Sequence, residues 1–351
     1  MIKKEISKSI VTVGCDYRCT KGGISTVLES YSKIYSPFYF IASSTCNNLL
    51  INLLCLIKSA ILLLFKCCFP KTKIIHIHTA SNNSFRRKSI LIRIAKFLNK
   101  KVVLHIHGGG FKDFLENNKK SVSNTISKVD VIVVLSLFWE TYFKDVFPNK
   151  KIITVPNIVE EPIKNIIKIK DKECVQFIFL GLICDAKGIF DLIDTIKLHK
   201  NYLTGKFKLH IGGNGDVERL CKLIELFELQ DIVLYEGWVD KEKKAELLSN
   251  SDVFILPSHT EGVPISILEA MSYGLPVIST CVGGIPEIVE NNVNGYLFQP
   301  GNKEQLFDCI IKFLGGEKTN HNMSQHSLKR VTPHLPHNVA MCLEKIYEDL
   351  Q

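Results

Sequence analysis

No apolar run in the 351 residues proceeds without a charge for the roughly 20 positions that a bilayer-spanning helix needs. The nearest candidate, residues 49–69 (LLINLLCLIKSAILLLFKCCF), is interrupted by Lys58 and Lys66. It reads first as a buried crossover helix and second as a membrane-surface helix with its lysines at the headgroups. No secretory leader is expected: MIKKEISKSIVTVGCD has charges and then a brief apolar run, which suits a first strand and not a signal peptide. The 12 cysteines lack regular spacing, and Cys15-x3-Cys19 and Cys67-Cys68 have no partner pairs at zinc-site spacing, so reduced thiols in a cytosolic protein are expected. Gly212-Gly213-Asn214-Gly215 does not have the spacing of the dinucleotide fingerprint, which argues against NAD.

What is present describes a folded chain of ordinary composition, 46% hydrophobic and 23% charged, long enough for two domains. Its net charge of +9 is unevenly held. Residues 1–160 carry 24 Lys and Arg against 9 Asp and Glu, and the remainder carry 20 against 26. A basic front half suggests that this half meets something anionic.

Taken in order, residues 9–14 read as a first strand, and Lys21-Gly22-Gly23-Ile24 opens the following helix. A glycine pair there either lets a phosphate or sugar approach backbone amides or simply makes a tight turn. Residues 74–78 and 102–107 are apolar strands separated by a basic helix over about 85–99, the pattern of βαβ units and a parallel sheet. Both strands end in His-x-His (His76, His78; His105, His107), with each pair on one face. No cysteine or acid accompanies them in sequence, so packed or hydrogen-bonded histidines are preferred to a metal site. His107 stands apart because Gly108-Gly109-Gly110 follows it, and ligands of open parallel sheets sit beyond the carboxyl ends of strands. A polar helix over 113–128 and strands over 129–135 and 151–157 complete the first half, with a charged linker over 160–172. In the second half, residues 175–181 are a buried strand ending at Gly181, and Lys187-Gly188 stands at the mouth of the next helix. Lys187 is either a point charge for a pyrophosphate oxygen or a solvated lysine. Strands over 208–215 and 233–239 follow, the second reaching Trp238 and Val239, then an amphipathic helix over 303–313, a polar stretch, and a last helix from about Pro336.

Residues 251–298 organise the rest. A short strand (253–256) leads into a loop holding Glu261 and Gly262, then a helix from about Pro264 to Tyr273, with Pro264 in its first turn and Gly274 and Pro276 ending it. Val263 stands where a capping Ser, Thr, Asp or Asn would normally be, which leaves the first amides, near Pro264 and Ile265, open to an outside anion. Glu261 precedes the helix mouth and Glu269 lies about a turn and a half inside it. Acids beside an anion site suit a sugar joined to a pyrophosphate.

The ordered series Glu261-x7-Glu269, Gly274-Leu-Pro-Val277, Gly283-Gly284-Ile-Pro-Glu287 and Asn294-Gly295-Tyr-Leu-Phe298 resembles the nucleotide-sugar site of retaining glycosyltransferases of family 4. The resemblance implies an α/β chain of the GT-B fold, two Rossmann-like parallel-sheet domains facing across a cleft. They would span 1–160 (acceptor) and 161–335 (donor), with 336–351 a helix returning to the first. It implies Glu261 and His107 on the donor sugar, Glu269 on the ribose, and Lys187 with the amides of Gly262, Val263, Pro264 and Ile265 on the leaving diphosphate. Gly22, Gly23 and Gly181 would line the donor, with Gly213, Trp238 and Val239 near the base, though Trp238 reads equally as a core residue. Relatives carry an arginine after the strand glycine, where this chain has Leu182. The chain contains no Asp-x-Asp, the metal-holding pair of the other large transferase fold, so no metal and no cofactor are expected beyond the nucleotide-diphosphate-sugar co-substrate. The expected work is hexosyl transfer to a saccharide or lipid-linked saccharide for capsule, O-antigen or exopolysaccharide synthesis. It would proceed in the cytoplasm or peripherally on an anionic inner membrane face, without nucleic acid. Two rivals are a nucleotide-sugar epimerase of the same architecture and a non-catalytic assembly partner, for which Leu182 is the hint.

Overall fold

Short runs rich in β-branched and aromatic residues, most of them buried on both faces, form the strands of two parallel sheets, as expected where helices cover both sides. The computed structural model describes residues 1–45, 48–162, 174–315 and 317–351, so most of the expected linker at 160–172 lies outside the described residues. The chain divides into two compact units, Met1–Val159 with Pro333–Gln351, and Glu160–Thr332.

The first unit holds β1 (Ile10–Gly14), β2 (Phe40–Ala42), β3 (Ile74–Thr79), β4 (Lys101–Ile106), β5 (Val131–Val134) and β6 (Lys151–Thr154), ordered β2-β1-β3-β4-β5-β6. All pairs are parallel, and His78 of β3 lies level with His105 of β4. Strands β1, β3 and β5 are buried along their whole length, in a core running through Val13, Ile77, Leu104 and Ile132 to Phe111 and Phe143. The helix Pro336–Glu348 belongs to this unit: the Tyr35 and Tyr347 hydroxyls are bonded, and Val159 N donates to His334 O at 2.9 Å.

The second unit holds β7 (Val175–Leu180), β8 (Phe207–Gly212), β9 (Val233–Gly237), β10 (Val253–Leu256), β11 (Val277–Thr280) and β12 (Gly295–Phe298), ordered β12-β11-β10-β7-β8-β9. The chain therefore reverses direction across the sheet between β7 and β10, the topological switch point beyond which open α/β sheets bind ligands.

Three expectations are corrected. Residues Leu49–Cys68 form the expected helix, but its outer face is exposed, not buried. Lysine is a good helix former, and Asn48 caps its start by accepting from the Leu50 and Ile51 amides. The polar stretch after residue 313 is largely the helix Glu317–Val331, held by tertiary contacts such as Ser327 Oγ donating to Leu275 O at 2.8 Å and not by a strong apolar period. The helix expected over 113–128 is two, Phe111–Asn117 and Lys119–Ile126, parted at Asn118.

Candidate functional site

In the second unit the loops after β7 and β10 flank the switch point and meet. The β7 strand ends at Leu180, and Gly181 leads to a single 3-10 turn, Asp185–Lys187, then the helix Ile189–Leu198. Gly188 between turn and helix has φ 67°, and a Cβ there would lie 1.9 Å from the Pro257 carbonyl oxygen just after β10. Only glycine permits that approach. The His259 amide donates to Ala186 O at 2.9 Å, tying the two loops together.

On this frame the Lys187 ammonium pairs with the Glu261 carboxylate. Ser258 Oγ donates to the same oxygen, Glu261 Oε1, at 2.8 Å. Glu261 is 9% exposed, so its charge is held by two named partners. The Glu261 loop is braced from behind. Gly283 has φ 56° and its absent Cβ would stand 2.0 Å from Glu261 O, while the Gly284 amide donates to Gly262 O at 2.7 Å. The Gly283-Gly284 motif thus supports the loop that carries the acid.

The helix beyond is Ile265–Ser272, and Pro264 is its N-cap, not part of its first turn. Pro264 has ψ 124°, an extended value that places it outside the helix, and no side chain caps the end. The expected uncapped entry is present, although Pro264 and not Val263 occupies the capping position. Glu269 pairs with Lys244 of the helix Lys241–Asn250. Gly213 has φ 154°, and a Cβ on it would lie 1.9 Å from Gly181 O, so the turns after β7 and β8 touch backbone to backbone. Tyr235 donates to Gly213 O at 2.9 Å, Val239 packs on Gly212, and Trp238 is exposed and not a core residue. Leu182 is 49% exposed. Arg219 reaches the same turn, 3.0 Å from Asp185 Oδ1 and over the Phe190 ring. Sequence reasoning missed Ser258, Lys244 and Arg219. Ser258 was the most findable, standing three residues before Glu261; the other two come from separate helices with no local signal.

In the first unit, Gly22 (φ 134°) precedes the helix Gly23–Ile34, and Gly108 (φ 98°) follows His107. A Cβ on either would meet nothing within 4 Å, so each is glycine for its backbone angle and leaves open space in front of it. His107 lies just past β4, its amide donating to Thr79 O at 2.7 Å. It joins His76, His78 and His105 in one buried group. His78 Nδ1 and His107 Nε2 are 2.9 Å apart, and His76 Nδ1 is 2.6 Å from the Tyr347 hydroxyl. Burial, and then the charge of Lys88, pulls His107 down to about 3. Burial, with His107 beside it, brings His76 to about 3, and His78 and His105 also lie well below the usual imidazole value through burial first. Lys88, itself buried, is lowered to about 8. The four rings are therefore neutral near pH 7, and the His78–His107 bond joins one N–H to one lone pair.

His76, His78 and His105 offer ring nitrogens within 4.8 Å of one another, the spacing of a possible metal group. The rings of His76 and His105 are parallel, however, with centroids 5.4 Å apart. Their in-plane lone pairs then lie in two parallel, stacked planes and do not converge on one centre, and Lys88 adds a like charge beside His78. This donor set is a poor fit to a divalent ion.

Residues 159–330 match the family model described as glycosyl transferases group 1. Among curated proteins, the chain is 29% identical over 237 residues to the amylovoran biosynthesis glycosyltransferase AmsK of Erwinia amylovora, covering 64% of this chain and 58% of that one. It is 27% identical over 265 residues to N-acetyl-alpha-D-glucosaminyl L-malate synthase of Bacillus anthracis, covering 71% and 68%. Among solved structures, sucrose-phosphate synthase from Thermosynechococcus elongatus superposes with a TM-score of 0.79 at 16% identity, covering 97% of this chain and 98% of that one. Anabaena HepE, solved in complex with UDP and glucose, gives 0.76 at 16%, covering 98% and 99%. At that identity the likeness establishes the fold, an α/β chain of the GT-B class. Residues 159–330, the stretch that carries Lys187, Glu261 and the bracing glycines, are thus similar to the glycosyl transferases group 1 family.

Proposed function

We infer that the protein is a retaining glycosyltransferase of family 4 that moves a hexosyl group from a nucleotide-diphosphate-sugar to a saccharide or lipid-linked saccharide during surface-polysaccharide synthesis. The observation that carries this reading is the Lys187–Glu261–Ser258 group at the β7/β10 switch point, one loop away from an uncapped helix entry. Charge builds on the departing diphosphate while the sugar passes through an oxocarbenium-like state. Preorganised positive groups at the leaving oxygens supply the help that step needs. Lys187 and the amides from Gly262 to Ile265 take that role, Glu261 holds the sugar, and Glu269 holds the ribose. Trp238 and Val239, beside Gly213, lie toward the base. Attack proceeds on the face guarded by the leaving phosphate. No metal or further cofactor enters this scheme.

The relatives' names support a role in polysaccharide synthesis, among them AmsK and the putative colanic acid biosynthesis glycosyltransferase WcaL of Escherichia coli. The basic first half fits an acceptor on a diphosphate lipid carrier at an anionic cytoplasmic leaflet. Exposed Leu182 favours one alternative, an assembly partner whose donor site is degenerate. The deciding experiment is a panel of UDP-, GDP- and ADP-sugars tested for protection against thermal unfolding, followed by turnover with Glu261→Ala and Lys187→Ala. Protection by one sugar nucleotide and loss of turnover in both variants is expected. No protection by any of them leaves the assembly partner, and unchanged turnover in either variant removes that residue's role.

A further inference from the structure

The helix Leu49–Cys68 is apolar outside as well as inside. Its inward stripe, positions 52, 56, 59, 63 and 67, includes two polar residues. Asn52 accepts from the Thr45 amide at 3.2 Å, and Ser59 Oγ donates to Leu56 O at 2.9 Å. Its outward face presents Leu50 (71% exposed), Leu54 (66%), Ile57, Ile61 and Phe65 (60%) to the surroundings. A surface helix of a water-soluble unit normally turns that face to the core, and so large an exposed apolar patch marks an interaction site.

Charge selects the partner. Residues 30–112, which supply β2, this helix, β3, the next helix and β4, contain thirteen Lys and Arg and not one Asp or Glu. Lys58 is exposed on the helix, Lys71 and Lys73 follow it, and the neighbouring helix Asn83–Phe97 exposes Arg86 and Arg93 along with Phe97. A second copy of the chain would oppose this surface with the same charges. An anionic lipid surface supplies both a hydrophobic layer for the leucines and headgroups for the lysines. The helix does not span, although it is long and apolar enough to do so. Both β2 and β3 hydrogen-bond to β1 in parallel, which returns the chain alongside the same sheet.

We propose that the outward face of Leu49–Cys68 is an interfacial anchor that seats the first unit on an anionic bilayer, the helix lying in the headgroup plane. This sharpens the anionic-surface partner named above without resting on glycosyl transfer. The test uses the full chain and vesicles of phosphatidylcholine with about one-third phosphatidylglycerol, without any sugar donor. Binding at least about tenfold tighter than to pure phosphatidylcholine vesicles is expected. The triple variant Leu54→Gln, Ile61→Gln, Phe65→Gln should lose at least about tenfold in binding at an unchanged melting temperature, since these side chains make little contact with the fold. In Phe65→Trp, tryptophan emission should shift to the blue on vesicles and be quenched by brominated acyl chains. Equal binding to both vesicle types, unchanged binding by the triple variant, or no quenching in Phe65→Trp overturns the proposal. So does a concentration-dependent dimer that the triple variant abolishes. Because no donor is present, failure here leaves the transferase reading standing, and a dead donor site leaves this one standing.

Discussion

Lys187 and Glu261, 74 residues apart in the chain, close an ion pair across the two loops that flank the β7/β10 switch point. The acid is the more enclosed partner and also takes the Ser258 hydroxyl. A lysine held this way is preset in position but already engaged, so an arriving diphosphate gains its charge only by sharing or exchanging it with Glu261.

Removing the lysine and neutralising the acid should therefore differ. Lys187→Ala leaves an enclosed carboxylate with only Ser258 and should cost about 1–3 kcal/mol of stability. Glu261→Gln removes the charge, retains an acceptor for Ser258, and should cost less. On turnover both should be severe, with kcat falling on the order of 100-fold or more for Lys187→Ala through lost stabilisation of the leaving group. Thermal melts and steady-state kinetics on the two variants check both halves. A Lys187→Ala protein as stable as the parent would mean that the pair carries no net energy.

Gly283 supports the acid from behind, and a side chain there has no room. Gly283→Ala places a Cβ 2.0 Å from the Glu261 carbonyl oxygen at a φ of 56°, which should cost about 2–4 kcal/mol in strain and displaced backbone. Gly315→Ala, where a Cβ meets nothing within 4 Å, should stay within about 0.5 kcal/mol of the parent. Thermal melts of both variants compare stability, and nucleotide protection then reads whether Gly283→Ala has moved the Glu261 loop.

The histidine group makes the first unit sensitive to acid. His76 and His107 fall to about 3 in the folded chain against an ordinary value of 6.5. Below pH 6.5 the unfolded chain binds protons that these rings refuse, so their contribution is intact above 6.5 and is lost as pH falls toward 3. Each ring in that condition costs about 1.4 kcal/mol per pH unit. The melting temperature should drop steeply below pH 6. Both ring nitrogens of His105 lack a hydrogen-bond partner among the described residues. His105→Leu should therefore be neutral or stabilising at pH 7.5 and should flatten the acid slope. A slope unchanged in His105→Leu would count against a neutral, buried His105.

The strands that could be read from sequence were those whose burial on both faces leaves a continuous apolar run, such as Val131–Val134 and Val253–Leu256. Phe40–Ala42 is only three residues long, and Val277–Thr280 and Gly295–Phe298 sit inside stretches dominated by glycine and proline motifs, so none of them announced a strand. The apolar character of 49–69 was plain, but composition says nothing about which way a face turns, and the inward Asn52 and Ser59 reveal that only in three dimensions. At the site, the local series around Glu261 was legible because loop, helix entry and bracing glycines are near in sequence. Lys244, which holds Glu269, arrives from another helix and was invisible.

Leu182 follows Gly181 where the family resemblance expects an arginine, and its side chain is 49% exposed beside the turn that carries Lys187. Nothing in its packing demands leucine, so Leu182→Arg should fold with stability close to the parent. If the donor diphosphate rests near Lys187, a guanidinium here adds a charge-assisted hydrogen bond that the native chain does without. An increase of about tenfold in kcat/KM for the donor corresponds to one such bond made in the transition state. Asp185 is the competitor, since it already holds Arg219 at 3.0 Å and could draw the new side chain away. Leu182→Arg should therefore be measured alone and with Asp185→Asn. A gain that appears only in the double variant would identify Asp185 as the trap. A gain in neither would place the diphosphate away from this turn and would count against Lys187 as the leaving-group cation.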